Sequence, residues 1–247
     1  MHNFHQIIQE IQNSFNSVKD TYDNYSEIQQ TIGSDLISYL LNFDKNSYEN
    51  ILDLGCGTGI TTQKLLESID YKKSCACDFA ANLLLLATKR LKKFNTIIYD
   101  LDFHEALNKN KNYDLIFSNM SFQWCLDIKI LLSLIYQKLE ANGVLCFSIP
   151  LDGTFENLPL QSKNTFYDVE YFKELFNQIG YKSIYFEEKN IVQTFLSFIA
   201  AVKSIKKTGA NVLMNNGKVS RNFHFNKQFA KSEFKLNYKI GFFILKK

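Results

Sequence analysis

Ile51-Leu52-Asp53-Leu54-Gly55-Cys56-Gly57-Thr58-Gly59 runs from an apolar strand through glycines at alternate positions and straight into the helical pattern of Ile60 to Ile69. Glycine at such a turn opens backbone conformations closed to other residues and lets a ligand approach the main chain. Around this stretch the alternation continues. Glu49 to Leu54, Lys73 to Cys77, Thr96 to Tyr99, Tyr113 to Phe117 and Val144 to Ile149 read as strands, with helices at Ala80 to Leu91 and Ile128 to Leu139. Strands alternating with helices imply βαβ units and a mostly parallel sheet. Phe4, Ile7, Ile8, Ile11, Phe15 and Val18 place an amphipathic helix over 4–18, and a second helix runs from Ser26 to Leu41. After Pro150 the pattern loosens: a helix at Asp168 to Ile179, a strand at Tyr181 to Glu187, a helix at Thr194 to Lys207, a polar stretch over 211–233 and a last strand at Phe234 to Leu245. The expectation is one α/β domain over 1–247, with a mostly parallel seven-stranded sheet and helices on both faces. It divides into N-terminal helices (1–45), a ligand-binding core (46–150) and the remaining sheet (151–247), which carries a cap at about 190–233.

With 46% hydrophobic and 21% charged residues, the chain can bury a sizeable core. The start has no basic region followed by a long apolar stretch, so no signal peptide is read. Apolar runs such as Phe195 to Val202 fall far short of the ~20 residues that cross a bilayer. Cys56, Cys75, Cys77, Cys125 and Cys146 form no Cys-x-x-Cys pair, which points to reduced thiols in a cytoplasmic protein. Of four histidines only His2 and His5 are neighbours, so no metal set is expected. Charge is uneven. Residues 203–247 hold eleven Lys/Arg against one acid, Glu233. That basic segment fits an acidic partner, nucleic acid or protein, or is a solvated face of a Lys-rich chain.

The acids at the strand ends narrow the ligand. In open parallel sheets ligands sit beyond the strand C-termini. Asp53 precedes the glycines where a pyrophosphate would find a carboxylate unwelcome, and the spacing is not Gly-x-Gly-x-x-Gly. A carboxylate there suits a cation, and S-adenosylmethionine carries both an ammonium and a sulfonium. The second strand ends at Asp78, where a carboxylate would meet a ribose diol, and the third at Asp100, placed to accept from an adenine amino group. With Gly55, Cys56, Gly57 and Gly59, these acids resemble the cofactor site of the Rossmann-like S-adenosylmethionine-dependent methyltransferases over about 49–149. Phe79, Leu101 and Asn119 complete the expected cofactor set.

The fourth strand end points to the acceptor. Asn119 is followed by Met120-Ser121 where amino-methylating nucleic-acid enzymes carry prolines, and no Pro-Cys nucleophile is present. Ser118-Asn119-Met120-Ser121-Phe122-Gln123-Trp124-Cys125 instead resembles the Ser-Asn-x-x-x-Gln-Trp-Cys run of the malonyl-acyl-carrier-protein O-methyltransferases of biotin synthesis. Phe15 with Tyr22-Asp23 and Gln29, and Ser204-Ile205-Lys206-Lys207-Thr208-Gly209-Ala210, are similar to two further stretches of that family, so the likeness extends from Phe15 to Leu245. Ser17 stands where the family often has Arg.

The resemblance implies that a malonyl carboxylate attacks a sulfonium methyl in line, which requires alignment and a dry site but no general base. Gln123 would hydrogen-bond the malonyl thioester or carboxylate, Trp124 would wall the pocket and Tyr22 would help close it. Both rings also have a packing reading, Trp124 as an anchor under the cap and Tyr22 within its helix. A lysine or arginine would hold the carboxylate. Carrier proteins are acidic, so Lys203, Lys206, Lys207, Lys218 and Arg221 are expected at the docking face. The expected partner is malonyl-acyl-carrier protein or malonyl-coenzyme A, with no nucleic acid, no membrane and a monomeric enzyme. Another small-molecule methyltransferase, an S-adenosylmethionine-binding assembly factor and an RNA methyltransferase are the alternatives.

Overall fold

The structure is a computed structural model that describes residues 2–109, 111–158, 164, 166–212 and 232–247. The N-terminal helices are α1 (His2–Asn16), a short α2 (Tyr22–Tyr25) and α3 (Glu27–Phe43). The alternating core follows as β1 (Ser47–Leu54), α4 (Ile60–Ser68), β2 (Asp70–Asp78), α5 (Ala81–Leu91), β3 (Ile97–Asp100), α6 (Phe103–Leu107), β4 (Tyr113–Asn119), α7 (Ile128–Lys138) and β5 (Leu139–Pro150). The chain then forms α8 (Val169–Ile179), β6 (Lys182–Phe195), α9 (Phe198–Lys207) and β7 (Phe234–Lys246).

All seven strands join one sheet in the order β3-β2-β1-β4-β5-β7-β6. The first five pair in parallel, while β7 runs antiparallel to both β5 and β6. Successive side chains on a strand face opposite ways, so each core strand feeds two layers. Leu115, Phe117, Val144 and Cys146 pack against α3, α4 and α5, whereas Ile116, Leu145 and Phe147 pack against α7 and α8. Phe147 lies 5.0–6.3 Å between ring centroids from Phe122, Phe172, Phe176 and Phe243, which accounts for part of the phenylalanine excess. Aromatic pairs of this kind contribute about 0.5–1.5 kcal/mol each beyond the area they bury.

Several boundaries differ from the sequence reading, most of all those of the fifth and sixth strands. The sixth strand continues to Phe195 because Ile191 to Phe195 pair with Tyr238 to Phe234 of β7, and the helix begins only at Phe198. Ser197 starts that helix, its hydroxyl accepting from the Ala200 N–H at 3.2 Å. The fifth strand begins at Leu139, not Val144, because Leu139 pairs with Tyr113 beside a bulge in β4. The strand order reverses between β1 and β4, which opens a crevice at their C-terminal ends, the place where ligands bind in sheets of this kind.

Candidate active site

The glycine loop leaves β1 at that crevice and is pinned from β4. Gly55 has φ +83°, and a Cβ on it would lie 2.4 Å from Ser121 Oγ, so both the conformation and the close approach require glycine. Ser118 and Ser121 hydroxyls stand 2.6 Å apart and donate to the Leu54 carbonyl at 2.8 and 2.9 Å. The stretch that carries Trp124 therefore also shapes the cofactor loop.

Asp53 is buried beneath the loop and accepts a hydrogen bond from Thr62 Oγ1 at 2.6 Å. Burial, with nearby Asp78, pushes its carboxyl up to about 7. It lines a small cavity with Tyr22, Ser26, Gln29, Gly55, Cys56 and Asn119, in which none of the described lining residues is basic. A cation entering this cavity would relieve an uncompensated buried acid. Asp78 accepts from the Gly57 and Ala80 N–H groups, each at 2.8 Å, and burial raises its carboxyl to about 6. With about four lone-pair sites in all, the carboxylate can still accept a further donor. Asp78, Phe79, Leu101, Gly55, Gly57 and Asn119 line an adjoining cleft of about 860 Å³ that opens to solvent.

Asp53 and Cys56 line only the small cavity, Gly59 lines neither space, and Asp100 is not among the residues of the larger cleft. Asp100 ends the edge strand β3 with its side chain exposed; the following Leu101, Asp102 and Phe103 are the residues that line it. Asp100 pairs in register with Asp78, so the two side chains leave the sheet on the same face, and its charge helps to raise the Asp78 carboxyl. Asn119 lines the cleft, yet its amide is also structural: Nδ2 donates to the Gln29 carbonyl at 2.9 Å and Oδ1 accepts from Ser148 Oγ at 2.8 Å.

A second pocket, of about 690 Å³, lies behind a shared wall. Phe15, Tyr22, Met120 and Trp124 line both spaces. Trp124 packs edge-on against Phe15 at 5.4 Å and contributes to a small cluster with Ile7, Ile11 and Val212. It is thus both an anchor for α1 and a partition, so the packing and wall readings hold together. Met120 sits at φ +52°, a strained value for a non-glycine residue, held by its N–H to Ser148 Oγ at 3.1 Å. Tyr22 is half-buried with its hydroxyl pushed well above the usual range, mainly by burial and then by Asp78, Asp23 and Cys56. It remains an O–H donor.

The sequence reading had no role for the hydrogen bonds of Asp23, the neighbour of Tyr22. Asp23 accepts from Thr58 Oγ1 at 2.6 Å and from Arg90 Nη2 at 2.7 Å, and Arg90 also donates to the Thr58 carbonyl. The Tyr-Asp pair of the N-terminal stretch was a usable signal, since the second residue holds what the first places. Gln123 lines the second pocket; its Nε2 donates to the Met120 carbonyl at 2.8 Å.

The C-terminal motif closes the same pocket. Ser204, Ile205 and Thr208 of α9 and its following turn line it, while Lys203, Lys206 and Lys207 face solvent. Gly209, at φ +75°, lets the turn lie against Phe15, since a Cβ there would come within 2.9 Å of the ring. Lys218 and Arg221 lie outside the described residues. Among the described residues that line the second pocket none is Lys or Arg, so the basic partner expected for the carboxylate is not found there. Among the described residues no group of three metal-binding side chains occurs, and no helix is long and apolar enough to cross a membrane.

Comparison with known proteins agrees with this architecture. A methyltransferase-domain family model matches residues 25–185. A malonyl-acyl-carrier-protein O-methyltransferase of Coxiella burnetii is 36% identical, covering 96% of this chain and 95% of its own. One from Ilyobacter polytropus is 29% identical over 86% of this chain and 81% of its own. Among solved structures, the DhpI complex with S-adenosylhomocysteine superposes with a TM-score of 0.60 at 15% identity, covering 75% of this chain and 91% of that one. The N-methyltransferase NodS of Bradyrhizobium japonicum gives 0.52 at 14% identity, covering 87% of this chain and 84% of that one. The fold is that of the Rossmann-like methyltransferases, and the chain, a methyltransferase that uses S-adenosylmethionine, belongs to the malonyl-acyl-carrier-protein O-methyltransferase family.

Proposed function

We propose that this protein methylates the free carboxylate of a malonyl thioester carried on acyl-carrier protein, forming the methyl ester that masks one end for the chain elongation of biotin synthesis. The observation that carries the reading is the partition itself. A pocket with no charged side chain among its described lining residues abuts the cofactor cleft through Tyr22, Met120 and Trp124. The full-length relatives bear the name of this reaction.

Asp53, Gly55, Cys56, Gly57, Gly59, Asp78, Phe79, Asp100, Leu101 and Asn119 would hold S-adenosylmethionine, and the buried Asp53, with no cationic partner among the described residues lining its cavity, fits a cationic ligand. When bound, the cofactor supplies a methyl group on a sulfonium. A malonate carboxylate is already a nucleophile, so the residues need to align it and exclude water. An anion and a cation become neutral products in this reaction. Charge is therefore lost toward the transition state, and a pocket without charged side chains among its described residues assists where bulk water would resist. Tyr22, kept as O–H by its buried setting, stands at the junction to donate to the carboxylate without supplying a full positive charge that would quench it. Trp124 and Met120 shape and dry the same wall. Lys203, Lys206 and Lys207 line the outer face of the helix whose inner face closes the pocket, which suits an acidic carrier delivering its arm over α9.

Labelled S-adenosylmethionine incubated with malonyl-, acetyl- and uncharged carrier protein tests the reading. Label on the malonyl form alone, released by mild base, is the expected result. Label on none of them, nor on malonyl-coenzyme A, contradicts it.

A further inference from the structure

Resting on the reading above, we infer that Gln123 does not bind the malonyl group but receives an amide N–H of the pantetheine-type arm that carries it. Its side-chain orientation is determined, not arbitrary, because Nε2 donates to the Met120 carbonyl at 2.8 Å. Only the nitrogen can make that bond, so the oxygen points the other way. That Oε1 atom is buried and accepts no hydrogen bond among the described residues, and Gln123 lines the acceptor pocket. Gln29, on the same pocket, also carries a buried side-chain oxygen without a partner among the described residues. Buried acceptors are nearly always satisfied in folded proteins, so acceptors left open toward a pocket mark where a ligand donates.

The backbone beneath Gln123 resists reorientation. Met120 is held at φ +52°, with its N–H on Ser148 Oγ and its carbonyl on Gln123. Reversing the amide would leave that carbonyl facing an oxygen. The pocket therefore presents an acceptor at this position, which changes the role expected from sequence.

An ionised malonyl thioester offers no donor: its carboxylate and its thioester carbonyl both only accept. The first donor along the carrier arm is the amide N–H two methylenes beyond the sulfur. A fixed acceptor oxygen in the acceptor pocket matches that group and repels the acyl oxygens. Gln123 would thus register the arm and leave the carboxylate to the O–H donor of Tyr22. This makes the amide of the arm a specificity element.

The test compares two small thioesters in the wild-type enzyme, malonyl-N-acetylcysteamine and its isostere in which ester oxygen replaces the amide N–H. The amide should exceed the ester in kcat/KM by at least about tenfold, because the ester sets two acceptors face to face. Gln123→Met should bring that ratio close to one, with cofactor titration confirming that the variant is folded. Equal kcat/KM for the two probes in the wild type, or an undiminished ratio in the folded Gln123→Met variant, overturns the inference while leaving carboxyl methylation intact. Failure of methyl transfer to both probes and to malonyl carrier protein removes the proposed function, and this inference with it.

Discussion

Arg90 Nη2 lies 2.7 Å from Asp23 Oδ2, so the residue beside Tyr22 is bound to the helix behind the glycine loop. Thr58, within the loop, donates to the other Asp23 oxygen at 2.6 Å. The glycine loop, α2 and α5 thereby share one carboxylate. Charge-assisted bonds of this kind are the stronger class, and both partners are largely shielded from solvent.

Asp23→Asn should consequently weaken S-adenosylmethionine binding by roughly tenfold and reduce kcat, since both the loop and Tyr22 lose their tether. Titration calorimetry and steady-state kinetics read the two effects separately. Unchanged affinity and turnover would show that the tether is incidental.

Asp53 predicts a pH dependence whose sign can be worked out. Its folded carboxyl is raised from 3.8 to about 7, so the folded protein binds the proton more tightly than the unfolded chain does. This group's contribution to stability is greatest below about pH 4 and declines as pH rises through about 7. A cationic cofactor prefers the ionised form, so its Kd should rise by about tenfold per pH unit below 7. Asp53→Asn should flatten that profile, lose most cofactor affinity and raise the apo melting temperature at pH 8, all measurable by thermal shift with and without cofactor.

Gly55→Ala should abolish cofactor binding at little gain in local order. The added Cβ would meet Ser121 Oγ at 2.4 Å, in a backbone region that side chains avoid. Pairing it with Ser121→Gly relieves the contact but not the φ, so calorimetric titration should show only partial recovery.

Trp124→Ala should destabilise the protein by about 3 kcal/mol, the usual cost of deleting a large buried aromatic ring, and should also join the two pockets. Trp124→Phe keeps the contact with Phe15 while thinning the wall. Its expected signature is near-normal cofactor affinity with kcat lowered several-fold, checked by chemical denaturation and single-turnover kinetics.

Much of this was legible in the sequence, for identifiable reasons. The βα alternation and the Asp53 to Gly59 stretch specify local structure, and the placement of a ligand at strand ends follows from it. Asn119 to Trp124 lie within one short segment, so their convergence needed no long-range information. The Asp23, Thr58 and Arg90 cluster joins residues 32 to 67 positions apart, each of an ordinary surface type. Nothing in their spacing announces the contact. The direction of the Gln123 amide depends on the positive φ of Met120, which a methionine does not advertise. The length of β6 follows from its antiparallel pairing with β7, a partner some forty residues away in the chain.

The most direct measurement is the intact mass of malonyl-acyl-carrier protein after incubation with enzyme and S-adenosylmethionine. A single added methyl, absent when acetyl-carrier protein is used and removed by mild base, is the expected result. An unchanged mass with cofactor demonstrably bound, or a methyl group that survives base, would contradict carboxyl methylation.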